Sequence, residues 1–416
     1  MKFTRRALVA AAAVSPGLAQ AAQAPAGAPT AALPVRSLFA RMPYVYLDSG
    51  STHPMPLGAK AALEEYLRYK TRDGLWQGYS MDAKEKAVIE RFGALVGAAP
   101  DELTFIQSTT MGENLVLQAL GFPQTGGRIV TDALHFFGSF YTYGELRKAG
   151  MDVVTLPMTR EGRIDMKAMA AAVNDRTKLV SVSHVSTTNG FEHDLKAVCD
   201  LAHAHGAYVY ADIVHGAGST PLDLRAAGVD FAACSSYKWL MGDFGLGFLY
   251  VRKELQEKVT RPWWGYHQVG GRFVTHVFPY DAPGETVADY GYARGTDGKF
   301  AMGTTSWTGA VQLDYSLGLI QQLGVANIQA YRQPMADAIQ KDLRGRGYEP
   351  MTPLDSRTPL VAFALKDARA KLGDLLAKND LRLTVSANRF RVSLSVFNDM
   401  NDVDRLLAVL PKAPPA

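Results

Sequence analysis

Tyr208-Val209-Tyr210-Ala211-Asp212-Ile213-Val214-His215 and, after one short helical pattern, Phe231-Ala232-Ala233-Cys234-Ser235-Ser236-Tyr237-Lys238-Trp239-Leu240 decide how this chain folds. Each stretch is a short, almost wholly apolar run that ends on residues able to do chemistry. Continuous apolar runs of this length fit strands covered on both faces. The pattern extends outward in both directions. Leu103–Gln107, Arg128–Asp132, Val153–Leu156, Leu179–His184, Tyr208–Ala211, Phe231–Cys234 and Gly247–Val251 read as strands. Between them lie helical patterns such as Asp194–His205, with Leu195, Val198, Leu201 and Ala202 on one face and Gly206 as the stop. Strands alternating with helices predict an α/β fold with a mostly parallel, seven-stranded sheet. Such sheets bind ligands beyond the carboxyl ends of their strands. Asp212 and Lys238 both fall just past strand ends.

Those two residues, with the hydroxyls beside them, match what pyridoxal 5'-phosphate (PLP) needs. The cofactor wants a lysine for its Schiff base, a carboxylate for its ring nitrogen and short donors for its phosphate. A carboxylate at the pyridine nitrogen keeps it protonated, because an opposite charge favours the cationic form. Ser108-Thr109-Thr110-Met111-Gly112 closes the first strand of the region and opens a helix, and free N–H groups at a helix start suit a dianion. Two weaker patterns are set aside. Gly242-Asp243-Phe244-Gly245-Leu246-Gly247 precedes a strand rather than a helix, so a dinucleotide loop is not expected. His203 and His205 are two apart on a helix and point apart, so no metal is expected there.

The order Asp-x-x-His, then Ser-x-Tyr-Lys, then a glycine-rich turn and a strand resembles the class V aminotransferase family. That family includes cysteine desulfurases, kynureninases and isopenicillin N epimerases. The resemblance covers Tyr44 to Leu410 and implies a fold-type I PLP enzyme acting as a homodimer. It implies that Lys238 is the catalytic Schiff-base lysine and that Asp212 faces the ring nitrogen. His215 would lie near the phenolic oxygen, with Thr187 where the family often has asparagine. Ser235, Tyr237, Thr109 and Thr110 would hold the phosphate. Ala301-Met302-Gly303-Thr304 is similar to the family's Glu-x-Gly-Thr turn, with Ala301 in place of the glutamate, so Gly303 and Thr304 would reach the phosphate of the neighbouring subunit. His135 or Phe137, in His135-Phe136-Phe137-Gly138, would stack on the ring. Arg391 in Phe390-Arg391-Val392-Ser393 matches the arginine that clamps the substrate carboxylate, for which a planar bidentate donor is suited.

The implied reaction begins with an amino acid, or a similar amine beside a carboxylate, forming an external aldimine. The pattern looks closest to isopenicillin N epimerase-like members, and transamination, epimerisation and elimination all stay open. The alternatives are a PLP-dependent C–S or other β/γ-lyase, or an exported enzyme that modifies siderophore side chains. A catalytically silent binding protein on the same fold is the reading from another class, and the joint presence of Lys238, Asp212 and Arg391 argues against it. Cysteine desulfurase activity is not expected, because that chemistry uses a mobile thiolate late in the chain and no cysteine follows Cys234.

Among the 416 residues, 47% are hydrophobic and 20% charged, ordinary for a soluble enzyme of more than one core. A formal net charge of +4, with no basic run interleaved with aromatics, gives no reason to expect nucleic acid. Met1-Lys2-Phe3-Thr4-Arg5-Arg6 followed by an Ala-rich stretch resembles a twin-arginine (Tat) signal peptide, cut after Ala21 because Pro25 disfavours cutting after Ala24. The Tat machinery would then deliver the protein to the periplasm, and no later run is long enough for stable membrane insertion. The expected organisation is a leader over 1–21, a linker over 22–43 and a large PLP-binding domain over 44–305. A long helix, kinked at Pro334, and a smaller α+β domain should occupy 306–416. Cys199 and Cys234 read as buried free thiols.

Overall fold

Seven strands in one sheet organise the protein: β1 (Leu103–Ile106), β2 (Arg128–Asp132), β3 (Asp152–Leu156), β4 (Thr177–Ser183), β5 (Tyr208–Asp212), β6 (Phe231–Ser235) and β7 (Gly247–Val251). A computed structural model describes residues 32–72 and 79–415. The expected leader and the first part of the linker, 22–31, lie outside the described residues. The spatial order is β1-β7-β6-β5-β4-β2-β3. All neighbours pair parallel except β7, which runs antiparallel to both β1 and β6. This is the expected α/β fold, and the seven strands fall where the apolar runs placed them.

The strands are buried on both sides because two clusters sandwich the sheet. Val130, Val180, Val182, Val209 and Ala211 face one cluster, and Ile129, Leu179, Tyr210, Phe231 and Leu249 face the other. Side chains alternate across a strand, so neighbours such as Val209 and Tyr210 enter opposite clusters. Helix Leu195–Ala204 packs its Leu195, Val198 and Ala202 inward, with Asp194 accepting from Ala197 N as its N-cap. Cys199 lies on that helix and Cys234 in β6; both are buried and free.

Beyond residue 306 the expected single helix is two. Helix Trp307–Leu323 stops at Gly324, whose φ of 73° is a left-handed value that favours glycine, and Val325–Gly345 follows. Pro334 sits inside the second helix without ending it. The break therefore lies ten positions before the expected kink, where the glycine relieves the backbone. The remaining elements build a small antiparallel sheet around Leu360–Ala364 and Arg389–Ser393. Phe363, Phe390, Leu372 and Leu406 form its core together with Met335 and Ile339 of the second helix. The strand Arg389–Ser393 ends on Ser393, which also forms an isolated parallel bridge to Asp48. A hairpin, Val269–Thr275 with Ala288–Tyr292, was not expected from the sequence.

The N-terminal segment ties these parts together. Val45–Tyr46 pairs parallel with Leu381–Arg382, and Leu47 O accepts from Ser393 N at 2.7 Å. A few residues on, His53 N donates to Tyr237 O at 2.9 Å. The segment thus runs from the small sheet to the loop that carries Lys238.

Candidate active site

Lys238 lies in the loop between β6 and β7 and is 7% exposed. Ser236 Oγ pins that loop, its one hydrogen lying within reach of both Leu246 O (2.7 Å) and Asp243 O (2.8 Å). The lysine Nζ meets His215 Nε2 at 2.8 Å. Burial pulls the amine down from its ordinary value to about 8, which the nearby Asp212 carboxylate resists and the Arg391 cation assists. A lysine of this kind has far more free amine near neutrality than a surface lysine. His215 is held well below the usual histidine range, first by burial and then by the positive charges of Lys238 and Arg391. The imidazole is therefore neutral, and Trp239 Nε1 donates to its Nδ1 at 3.2 Å.

Asp212 closes β5, 8% exposed, with one carboxylate oxygen accepting from Val214 N at 3.0 Å. At the start of helix Thr109–Ala119, Thr109 and Ser235 interlock. Thr109 N donates to Ser235 Oγ at 3.0 Å, and Ser235 N donates to Thr109 Oγ1 at 3.1 Å. These residues share one cavity of 250 Å³, lined by Thr109, Thr110, Ser235, Asp212, His215, Lys238 and Tyr237, with Thr187, Phe136 and Phe244 among the others. Larger cavities exist, one of 590 Å³ around Glu192 and Arg357, but Lys238, Asp212 and the hydroxyl cluster are not among their lining residues. The cavity of 250 Å³ offers a helix N-terminus with hydroxyls, a carboxylate and a free amine around one space. That donor set fits PLP, and PLP is the cofactor of this protein: Thr109, Thr110 and Ser235 suit its phosphate, Asp212 its ring nitrogen and Lys238 its aldehyde.

Other expected site residues are distributed differently. His135 is 1% exposed and does not line the cavity; its Nδ1 accepts from Phe136 N, and its Nε2 meets Ser181 Oγ at 3.0 Å. Phe137 is 63% exposed. The ring between them in sequence, Phe136, is the one that lines the cavity. Tyr237 stacks on Phe244 at 4.4 Å. Gly303 borders a separate cavity with Glu85, His267 and Arg294, and Thr304 is exposed, so neither lines the cavity of Lys238.

Arg391 is 5% exposed and already engaged. Its Nη1 donates to Thr187 O (2.7 Å) and Thr187 Oγ1 (2.9 Å), and its Nη2 to Ser51 Oγ (3.0 Å) and Thr384 Oγ1 (2.9 Å). Asp48 lies 3.6 Å away. Gly50 is packed so tightly here that a Cβ would meet Ser393 Oγ at 2.7 Å and Leu360 at 2.9 Å. Sequence reasoning missed Asp48, Ser51, Thr384 and Trp239. The polar run Asp48-Ser49-Gly50-Ser51-Thr52-His53 after a short apolar strand was the one signal that marked the first two.

The family model described as aminotransferase class-V matches residues 45–406. A probable cysteine desulfurase of Methanothermobacter thermautotrophicus is 28% identical over 300 residues, 71% of each chain. A cysteine desulfurase of Haloferax volcanii is 26% identical over 400 residues, 89% of each chain. Among solved structures, the cysteine desulfurase CsdA of Escherichia coli superposes with a TM-score of 0.77 at 21% identity, covering 90% of this chain and 96% of its own. The cystine C–S lyase C-DES, in complex with its product cysteine persulfide, superposes with a TM-score of 0.75 at 19% identity, covering 88% and 97%. The exclusion of cysteine desulfurases drawn from the cysteine count is therefore overturned, since proteins of that name match along most of the chain. The exclusion assumed that sulfur must pass to a thiol of the chain itself. A missing cysteine removes one acceptor and leaves the groups that act on the carbon untouched.

Proposed function

The chain belongs to the class V aminotransferase family, and on that footing we propose that it cleaves the carbon–sulfur bond of a cysteine-type amino acid. The observation that carries the reading is the 2.8 Å contact of Lys238 with a neutral His215, in a cavity shared with Asp212 and the Thr109–Ser235 cluster. PLP, when bound, supplies an electron sink for charge developing at the substrate Cα. Lys238, as a free amine, is the nucleophile toward the cofactor and the base that takes and returns the Cα proton. The Asp212 carboxylate holds the proton on the ring nitrogen. Arg391 takes the substrate α-carboxylate with the two nitrogens that now donate to Thr187, Ser51 and Thr384.

The choice of a C–S bond is supported by the names of the relatives. Cys199 and Cys234 are both fully buried, so the departing sulfur goes to an added thiol or leaves with the substrate's own sulfur partner. Two balanced reactions follow. Cysteine and a thiol give alanine and a persulfide, and cystine and water give pyruvate, ammonia and cysteine persulfide. Incubating the PLP-loaded protein with each amino acid, with and without dithiothreitol, should yield alanine or pyruvate together with persulfide or sulfide. Turnover of sulfur-free amino acids, with no product from cysteine or cystine, would sink the reading.

Two further features belong to the same proposal. The enzyme works as a homodimer, supported by Gly303 lining a cavity other than that of Lys238 and by the exposure of Thr304. It is exported to the periplasm by the Tat route, supported by Arg5-Arg6 ahead of the Ala-rich stretch. Replacing both arginines with lysine should leave the protein in the cytoplasmic fraction. Undiminished export of that double variant would rule out the Tat route.

A further inference from the structure

Trp239 follows the lysine directly, and two contacts on opposite sides of one imidazole determine where its hydrogen sits. The indole N–H donates to His215 Nδ1 at 3.2 Å, and His215 Nε2 lies 2.8 Å from Lys238 Nζ. An indole nitrogen is a donor only, so Nδ1 has to present its lone pair. A neutral imidazole that accepts at Nδ1 carries its hydrogen on Nε2. Nε2–H then donates toward Nζ, and a nitrogen that accepts a hydrogen bond cannot be an ammonium. We infer that Trp239 is a positioning residue that fixes the Nε2–H tautomer of His215 and through it holds Lys238 as the free amine that PLP requires.

The surroundings agree. Trp239 and His215 are each 4% exposed, so the contact between their rings is shielded from bulk solvent. The indole stands edge-on to the imidazole, 6.4 Å between centroids at 63°, a geometry that aims the N–H at the ring edge. Lys238 and Arg391 bear on His215, and both disfavour a second proton there. Burial and Arg391 favour the free amine of Lys238, and Asp212, Cys234 and Asp48 favour the ammonium. Without the indole, His215 could place its hydrogen on Nδ1 and accept from an ammonium at Nε2, so the amine would gain a proton. The inference rests on the site being a PLP site, and not on which C–S reaction it performs.

The test uses the full-length chain, freed of PLP with hydroxylamine and labelled with 15N-histidine. His215 is assigned by its disappearance in His215→Gln. Wild type should show a protonated, pyrrole-type Nε2 and an unprotonated, pyridine-type Nδ1. In Trp239→Phe the Nδ1–H form should appear. In the same variant, the pH midpoint for trapping added PLP on Lys238 with borohydride should rise. Each unit of that rise cuts the free-amine fraction near neutrality about tenfold. If the phenylalanine variant does not fold, 3-benzothienylalanine at position 239 keeps the ring shape and replaces the N–H with sulfur.

A protonated Nδ1 in wild type overturns the inference, as does a folded variant with an unchanged tautomer. A changed tautomer with an unmoved midpoint overturns the link to Lys238. Failure of wild-type Lys238 to trap PLP would instead remove the reading of the site, and the 15N pattern would still decide the tautomer.

Discussion

Replacing Lys238 with alanine yields a folded protein that holds no PLP through a borohydride-reducible bond and has lost turnover by a factor on the order of 10³. The loss is large because one side chain serves as both nucleophile and proton carrier. Its cost to folding is small for a buried site. Truncation leaves a gap beside His215, but it also removes an amine whose burial is unfavourable, as its lowered pKa of about 8 records. The thermal midpoint should therefore stay near that of wild type while the Schiff-base absorbance disappears. Peptide mass mapping of the reduced wild-type adduct decides the assignment, and an adduct on any other lysine would refute it.

Arg391→Ala should weaken amino-acid binding by about ten-fold or more, since charge-assisted hydrogen bonds contribute roughly 1.5–3 kcal/mol each. The effect should vanish for the decarboxylated amine, which has no carboxylate to present. Stability should fall as well, because Thr187 loses its donor in a buried place and the half-buried hydroxyls of Ser51 and Thr384 lose theirs. Each acceptor left unpaired costs about 1–3 kcal/mol. Arg391→Lys keeps the charge without the planar fork, so it should recover part of the stability and little of the affinity. Absorbance titration with an amino acid and its amine analogue, beside thermal melts, separates the two losses. Unchanged amino-acid affinity in the alanine variant would place the carboxylate elsewhere, with Arg389 or Arg294 next in line.

The sheet was readable from residues alone because its strands are buried on both faces and so appear as unbroken apolar runs, as in Phe231–Ser235. The hairpin of Val269–Thr275 with Ala288–Tyr292 left no such trace. Phe273, Tyr290 and Tyr292 are exposed, so no buried face imposes an alternation. Gly324 and Pro334 compete as helix breakers in sequence, and only the tertiary arrangement selects the glycine. Within the site, Asp212, His215, Ser235, Tyr237, Lys238, Thr109 and Thr110 could be gathered from the sequence because each closes or closely follows a strand, and all of them line the one cavity. Phe136 was missed by one register position, since a loop between strand and helix has no period to anchor it. The partners of Arg391 could not be read locally, because Ser51 stands 340 positions away in the chain. Trp239 looked like an apolar neighbour of the lysine, and its N–H acquires meaning only when His215 folds against it.

The two cysteines give the molecule a chemical clock. Cys199 and Cys234 are both 0% exposed, and burial pushes the Cys199 thiol up to about 12 and the Cys234 thiol well above its ordinary value. The thiolate is the form that attacks an alkylating reagent, so neither sulfur reacts while its surroundings stay closed. Modification by iodoacetamide then proceeds only as fast as the protein opens, on the helix Leu195–Ala204 for one residue and at the centre of the sheet for the other. Comparing the two labelling rates at rising temperature or denaturant measures whether the outer helix and the inner strand come apart together or in turn.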